Sequence, residues 1–124
     1  MFKNILIIDD DIMNLKMAKT VLERAGYKVD MQKSGALGIK SLKENKTDLV
    51  LLDIEMPDMD GIQTLENIRM EKELEEIPVI FITASGDTDN VVQAAKLGVA
   101  DYVKKPFLMN ELLKRVAKVF DGKK

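Results

Sequence analysis

Three short runs in this chain are apolar at every position: Ile5-Leu6-Ile7-Ile8, Leu49-Val50-Leu51-Leu52 and Val79-Ile80-Phe81-Ile82. Each has strand length, and a strand with no polar alternation is one covered on both faces, as in a parallel sheet flanked by helices. Tyr27-Lys28-Val29-Asp30-Met31 alternates instead, which predicts a strand at the sheet edge. Asp101-Tyr102-Val103-Lys104 is a fifth, less apolar candidate. Between these runs the apolar spacing changes to that of helices. Leu15, Ala18, Leu22 and Ala25 form a stripe stopped by Gly26, and Ser34 can cap a second helix carrying Ile39 and Leu42. Ile62, Leu65 and Ile68 mark a third helix after the turn region 57–61. Val91, Val92 and Ala95 mark a fourth that ends at Gly98, and Leu112, Leu113, Val116 and Phe120 mark the last. No Ser, Thr or Asp follows Phe107 at the usual capping place, so Asn110 is expected to cap that last helix. Strand then helix, five times over, predicts an α/β domain with a parallel sheet and helices on both faces.

The length of 124 residues suits one domain, and no Pro- or Gly-rich linker divides residues 1–124. With 46% of residues apolar, a core can form without staples. The chain has neither cysteine nor histidine. Disulfides, thiolate or imidazole metal sites, histidine general bases and a phosphohistidine on the chain itself are therefore excluded. The 19 basic and 21 acidic residues nearly cancel, so no global field favours nucleic acid or an anionic membrane. No stretch approaches the ~20 apolar residues of a membrane helix. The first apolar run is too short for a signal peptide and ends in aspartates. These features predict a cytoplasmic protein without membrane insertion. Glu71-Lys72-Glu73-Leu74-Glu75-Glu76 reads as a solvated helix end or loop.

Open parallel sheets place their ligand sites at the carboxyl ends of the strands. Asp9 and Asp10 follow the first strand, Asp53 the third, Thr83 the fourth and Lys105 the fifth. Distant segments thus deliver three carboxylates, a hydroxyl and an amine to one rim. Singly, each has an ordinary explanation: acids favour helix starts, Thr83 could cap, and a lone lysine is usually a surface residue. Together they point to chemistry. Crowded carboxylates stay ionised only with a cation among them. With oxygen ligands alone the natural cation is Mg²⁺, with Mn²⁺ or Ca²⁺ as substitutes. Mg²⁺ commonly shares its shell with phosphate oxygens, which an amine and a hydroxyl can help neutralise and orient. A carboxylate at such a centre can act as a nucleophile and form an acyl phosphate.

These residues carry a family resemblance over essentially the full length. Asp9-Asp10, Leu51-Leu52-Asp53-Ile54-Glu55-Met56-Pro57-Asp58-Met59-Asp60-Gly61, Thr83-Ala84 and Asp101-Tyr102-Val103-Lys104-Lys105-Pro106-Phe107 resemble the receiver domain of two-component response regulators. The resemblance implies a doubly wound, five-stranded parallel sheet of the (βα)5 flavodoxin-like or CheY-like kind, in three α/β/α layers. It implies a phosphorelay switch in which Asp53 accepts a phosphoryl group, with Asp9, Asp10, Asp53 and the backbone carbonyl of Glu55 holding Mg²⁺. Lys105 would contact the phosphoryl group, aimed by a cis bond to Pro106. Thr83 would bond a phosphoryl oxygen, Tyr102 would swing inward with it, and Glu55 and Ser85 would tune the acyl-phosphate lifetime. The donor would be a histidine kinase or histidine phosphotransfer protein. The output would be a protein target, or an attached domain if the natural chain is longer. Such a domain is not an enzyme beyond its own phosphoryl transfer and slow autodephosphorylation, and it makes no direct contact with nucleic acid.

Three rivals explain less. Asp9-Asp10-Asp11 contains the Asp-x-Asp pattern of haloacid-dehalogenase-type phosphatases, but that reading leaves 53–61 unexplained. A flavodoxin-like FMN binder shares the strand plan, yet three aspartates in the first loop would repel the cofactor phosphate. A degenerate scaffold would lack some of the expected residue types, and all are present.

Overall fold

The computed structural model describes residues 3–57, 59–83, 92, 95–105 and 108–121, with Thr83 described in its backbone only. Five strands form one parallel sheet: β1 (Asn4–Ile8), β2 (Lys28–Gln32), β3 (Leu49–Asp53), β4 (Val79–Thr83) and β5 (Asp101–Lys104). Their order is β2-β1-β3-β4-β5. The apolar runs are continuous because successive side chains serve two different cores. Leu6, Ile8, Val50, Leu52, Val79 and Phe81 face one layer, whereas Ile5, Ile7, Leu49, Leu51, Ile80 and Ile82 face the other. β2 lies at the edge, where Val29 and Met31 pack on a core and Lys28 and Asp30 do not. Its alternation in the sequence has that cause.

Among the described residues four helices cover the sheet: α1 (Ile12–Arg24), α2 (Gly35–Glu44), α3 (Gly61–Met70) and a C-terminal helix (Met109–Asp121). The chain steps from β1 to β2 in one direction and from β2 through β3 to β4 in the other. Right-handed crossovers then put the connecting helices on opposite faces. Accordingly Leu15, Ala18 and Leu22 of α1 join one core with Leu112 and Val116. Leu42 of α2 and Ile62, Leu65 and Ile68 of α3 join the other. No helix among the described residues is long and apolar enough to cross a membrane.

The helix boundaries follow local chemistry. Ser34 caps α2 by accepting the Leu37 N–H at 3.2 Å, and α1 ends before Gly26, whose φ of 100° requires a residue without a Cβ. Of the expected fourth helix, Val92, Ala95 and Lys96 are helical, and the chain turns at Gly98 with φ 75°; Val91 lies outside the described residues. The acidic run 71–76 is a turn, with Glu71 paired to Lys43 at 3.2 Å. The expected cap of the last helix is corrected. The Leu108 carbonyl already accepts the Glu111 and Leu112 N–H groups, so the first turn closes earlier and Asn110 sits inside the helix.

α2 and α3 approach closely because Gly35 faces Thr64, which is fully buried. A Cβ at residue 35 would overlap Thr64 Oγ1 and press on Met59 Sδ. Gly35→Ala should therefore lower stability by about 1–3 kcal/mol, the range for overpacking a filled contact, measured by urea unfolding.

Candidate functional site

The strand order switches direction between the parallel neighbours β1 and β3 and leaves a crevice at their carboxyl ends, the usual ligand position in such sheets. β1 pairs directly with β3 through Ile8 and Leu52, so Asp9 and Asp53, the next residues, emerge side by side. Both are buried, each 4% exposed. Asp10 is exposed and completes a group of three carboxylates whose oxygens can lie within 4.8 Å of one another.

The three consecutive aspartates divide their work. Asp11 is the N-cap of α1 and accepts the Met13 N–H at 2.9 Å and the Asn14 N–H at 3.4 Å. The ordinary reading of an acid at a helix start holds for this one. Its own N–H donates to Asp9 Oδ1 at 2.9 Å. The cap therefore orients the neighbouring carboxylate and leaves Asp9 Oδ2 facing the crevice.

Lys105 enters from the end of β5. Its ammonium donates to Asp9 Oδ2 at 3.0 Å and lies 3.4 Å from Asp53 Oδ2. Asp53 Oδ1 accepts the Glu55 N–H at 3.3 Å. Burial and the adjacent Asp9 charge push the Asp53 carboxyl up to about 7, with Lys105 and the Glu55 N–H only partly opposing them. For Lys105, burial works to lower the pKa, but the hydrogen bond to Asp9 and the charges of Asp53 and Asp9 outweigh it and raise the pKa. One ammonium does not neutralise three carboxylates. The remaining negative charge and the purely oxygen donor set suit a hard divalent cation such as Mg²⁺.

The loop after β3 is held by the start of α3. Asp60 caps that helix through the Gln63 N–H at 2.8 Å, while Gln63 returns a bond to the Asp60 N–H at 3.1 Å. This Asp-x-x-Gln capping box was legible in the sequence and its role passes easily unnoticed. Gly61 donates to the Ile54 carbonyl at 2.7 Å, and a Cβ there would collide with the Asp53 carbonyl and Ile54 Cα. Glycine at residue 61 thus lets α3 start directly against the backbone that carries Asp53.

Thr83 closes β4, its backbone in register with Lys104 and one step beyond Ile82, the partner of Asp53. Tyr102 lies on β5 beside Phe81, half-buried against the α2–α3 core. Glu55 has an exposed side chain just past Asp53. Ser85, Pro106 and the side chain of Thr83 lie outside the described residues. The structure therefore brings Asp9, Asp10, Asp53 and Lys105 together, with Glu55 on the adjoining loop, Thr83 at the adjoining strand end and Tyr102 two residues further back within β5.

The family model described as "Response regulator receiver domain" matches residues 5–117. Chemotaxis protein CheY-3 of Vibrio cholerae is 35% identical over 118 residues, covering 94% of this chain and 91% of that protein. Two-component response regulator ORR23 of Oryza sativa subsp. indica is 39% identical over 110 residues, covering 87% of this chain. This chain matches 16% of the length of that regulator. A CheY-like receiver domain protein from Methanospirillum hungatei superposes with a TM-score of 0.93 at 30% identity, over 98% of this chain and 96% of that one.

The raised Asp53 pKa has a consequence for stability. Between its ordinary value of 3.8 and about 7 the folded chain keeps a proton that the unfolded chain has lost. Stability in metal-free buffer should therefore fall as pH rises through this window and level off above it. Thermal unfolding at a series of pH values should show the decline in the wild type and a flatter profile in Asp53→Asn. Saturating Mg²⁺ should also flatten it, because a cation among the carboxylates favours their ionised form.

Proposed function

The chain belongs to the response regulator receiver domain family, and on that premise we propose that it is a phospho-acceptor switch whose acceptor is Asp53. The reading that the geometry supports best rests on one observation. Two buried carboxylates from adjacent strands converge with Lys105 from the edge strand at the carboxyl rim of the sheet. Receiver domains are signalling domains of two-component systems, and the chemistry proposed here is confined to the domain's own phosphoryl transfer and slow loss of the phosphoryl group.

In the proposed reaction an Asp53 carboxylate oxygen attacks the phosphorus of a phosphohistidine on a kinase or phosphotransfer protein. The new P–O bond forms as the P–N bond to the imidazole breaks, and that nitrogen takes a proton from solvent. Asp9, Asp10, Asp53 and the Glu55 carbonyl would hold Mg²⁺, which would neutralise charge on the phosphoryl oxygens. Lys105 supplies a second positive charge at the same place, already oriented by Asp9. Ionised Asp53 is the nucleophilic form, so a cation that lowers its raised pKa also activates it.

The signal would pass through Thr83 and Tyr102 to the face formed by the 92–98 segment, β5 and the C-terminal helix, and from there to a protein target in the cytoplasm. Lys104, Lys114 and Lys118 are exposed there and favour an acidic partner. The face contains a linkage suited to transmission. Arg115 of the C-terminal helix binds Asp101 Oδ1 at 2.6 Å and the Tyr102 carbonyl at 3.3 Å. A phosphoryl group that draws Thr83 inward biases this two-state element rather than pushing on it from a distance.

Intact-mass analysis with acetyl phosphate and Mg²⁺ should show one added phosphoryl group. Asp53→Asn should show none, and Asp10→Asn should label more slowly and bind Mg²⁺ more weakly with its fold intact. Equal labelling of Asp53→Asn would refute the acceptor assignment. For the output path, NMR shifts on adding the acyl-phosphate mimic beryllofluoride should spread from Asp53 to residues of segments 88–98 and 101–120 in the wild type, weakly at Leu97 and Gly98 and strongly at Tyr102. In Thr83→Ala they should stay near the acidic site; identical distant shifts in both would remove Thr83 from the path.

A further inference from the structure

Arg69 stands in the last turn of α3, away from the acidic rim. Among the described residues its partners are all main-chain carbonyls. Nε donates to Leu97 O at 2.9 Å and Nη2 to Gly98 O at 3.2 Å. Nη1 donates to Ile77 O at 2.8 Å and reaches Leu74 O at 3.5 Å. Partly buried arginines commonly pair with carboxylates, so a guanidinium given over to carbonyls calls for an account.

Those carbonyls belong to two separate connections. Leu74 and Ile77 lie in the run that leads into β4. Leu97 and Gly98 form the turn after the helical residues Ala95 and Lys96, where Gly98 has φ 75° and donates to Ala95 O at 3.1 Å. The last carbonyls of a helix lack intrahelical donors and carry the negative end of its dipole, so a cation is favoured there. Two residues further, the Ala100 N–H donates to Val79 O at 2.8 Å and joins the start of β5 to the start of β4. One planar fork therefore ties α3 to the starts of both strands. A lysine ammonium, a point charge with three donors, cannot span these four acceptors.

Tyr102 lies only four residues beyond Gly98. We propose that Arg69 is a positioning residue that anchors the 95–98 turn, so that rearrangement of the output face pivots about this turn. The anchor stands on the geometry alone, and the pivot rests on the reading of the output face given above.

The test uses the full chain and compares wild type with Arg69→Ala and Arg69→Lys. Amide hydrogen exchange reads the anchor. In both variants exchange at residues 95–102 should accelerate by at least roughly tenfold, the size of one lost charge-assisted hydrogen bond, and by more than in the α1 core. Chemical shifts with Mg²⁺ and beryllofluoride read the pivot. In the wild type the changes should be small at Leu97 and Gly98 and large at Tyr102; in both variants they should be comparable at all three. Equal acceleration across the whole chain would make Arg69 a general stabiliser and overturn the anchor, as would full rescue by lysine. Wild-type changes at Leu97 and Gly98 as large as at Tyr102 would overturn the pivot. An absence of any wild-type change at Tyr102 would defeat the output-face reading together with the pivot, while the exchange data would still decide the anchor.

Discussion

Two carboxylates buried side by side repel each other, and every feature at the rim of this sheet can be traced to how that repulsion is managed. Asp9 and Asp53 meet because β1 and β3 are neighbours and end at the same level. Each alone would be a costly buried charge. The 3.0 Å contact of Lys105 with Asp9 and its 3.4 Å approach to Asp53 offset part of that cost and link the end of the edge strand β5 to the central strands. The offset is incomplete, as the raised Asp53 pKa shows. An imperfectly compensated cluster of carboxylates is one that could hold a cation.

The surrounding backbone is arranged to keep this site from relaxing. Asp11 caps α1 and, through its own N–H, holds Asp9 Oδ1. The reciprocal Asp60–Gln63 cap and the Gly61 contact hold the start of α3 against the strand end that carries Asp53. Both helices begin at the rim, so their positive ends face the acids and lessen the repulsion. Local capping thus does two things at once. It satisfies orphan N–H groups, and it orients the groups that would react.

At the opposite end of the sheet the cations play a mechanical part. Arg69 and Arg115 each bind main-chain carbonyls, at Leu97 and Gly98 in one case and at Tyr102 in the other. Arg115 also joins Asp101, at the start of β5, to the C-terminal helix. These contacts connect β5 to elements on both faces of the sheet, so a change at its carboxyl end need not remain local.

Sequence alone determined the architecture because burial on both faces leaves a mark that needs no partner to read. The unbroken apolar runs ending at Ile8, Leu52 and Ile82, and the alternation of β2, locate strands and distinguish centre from edge. The rule that parallel sheets bind at carboxyl ends then selects Asp9, Asp53 and Lys105. Sequence could not divide the labour within Asp9-Asp10-Asp11, since all three have the same chemistry and only the direction of each side chain separates cap from cluster. It misplaced the start of the last helix because a main-chain carbonyl, at Leu108, did what a capping side chain was expected to do. Nor could it single out Arg69, whose partners are carbonyls, and every residue has a carbonyl. Which of them meet a guanidinium is decided by the packing of α3 against two loops distant in sequence, and only the tertiary structure holds that information.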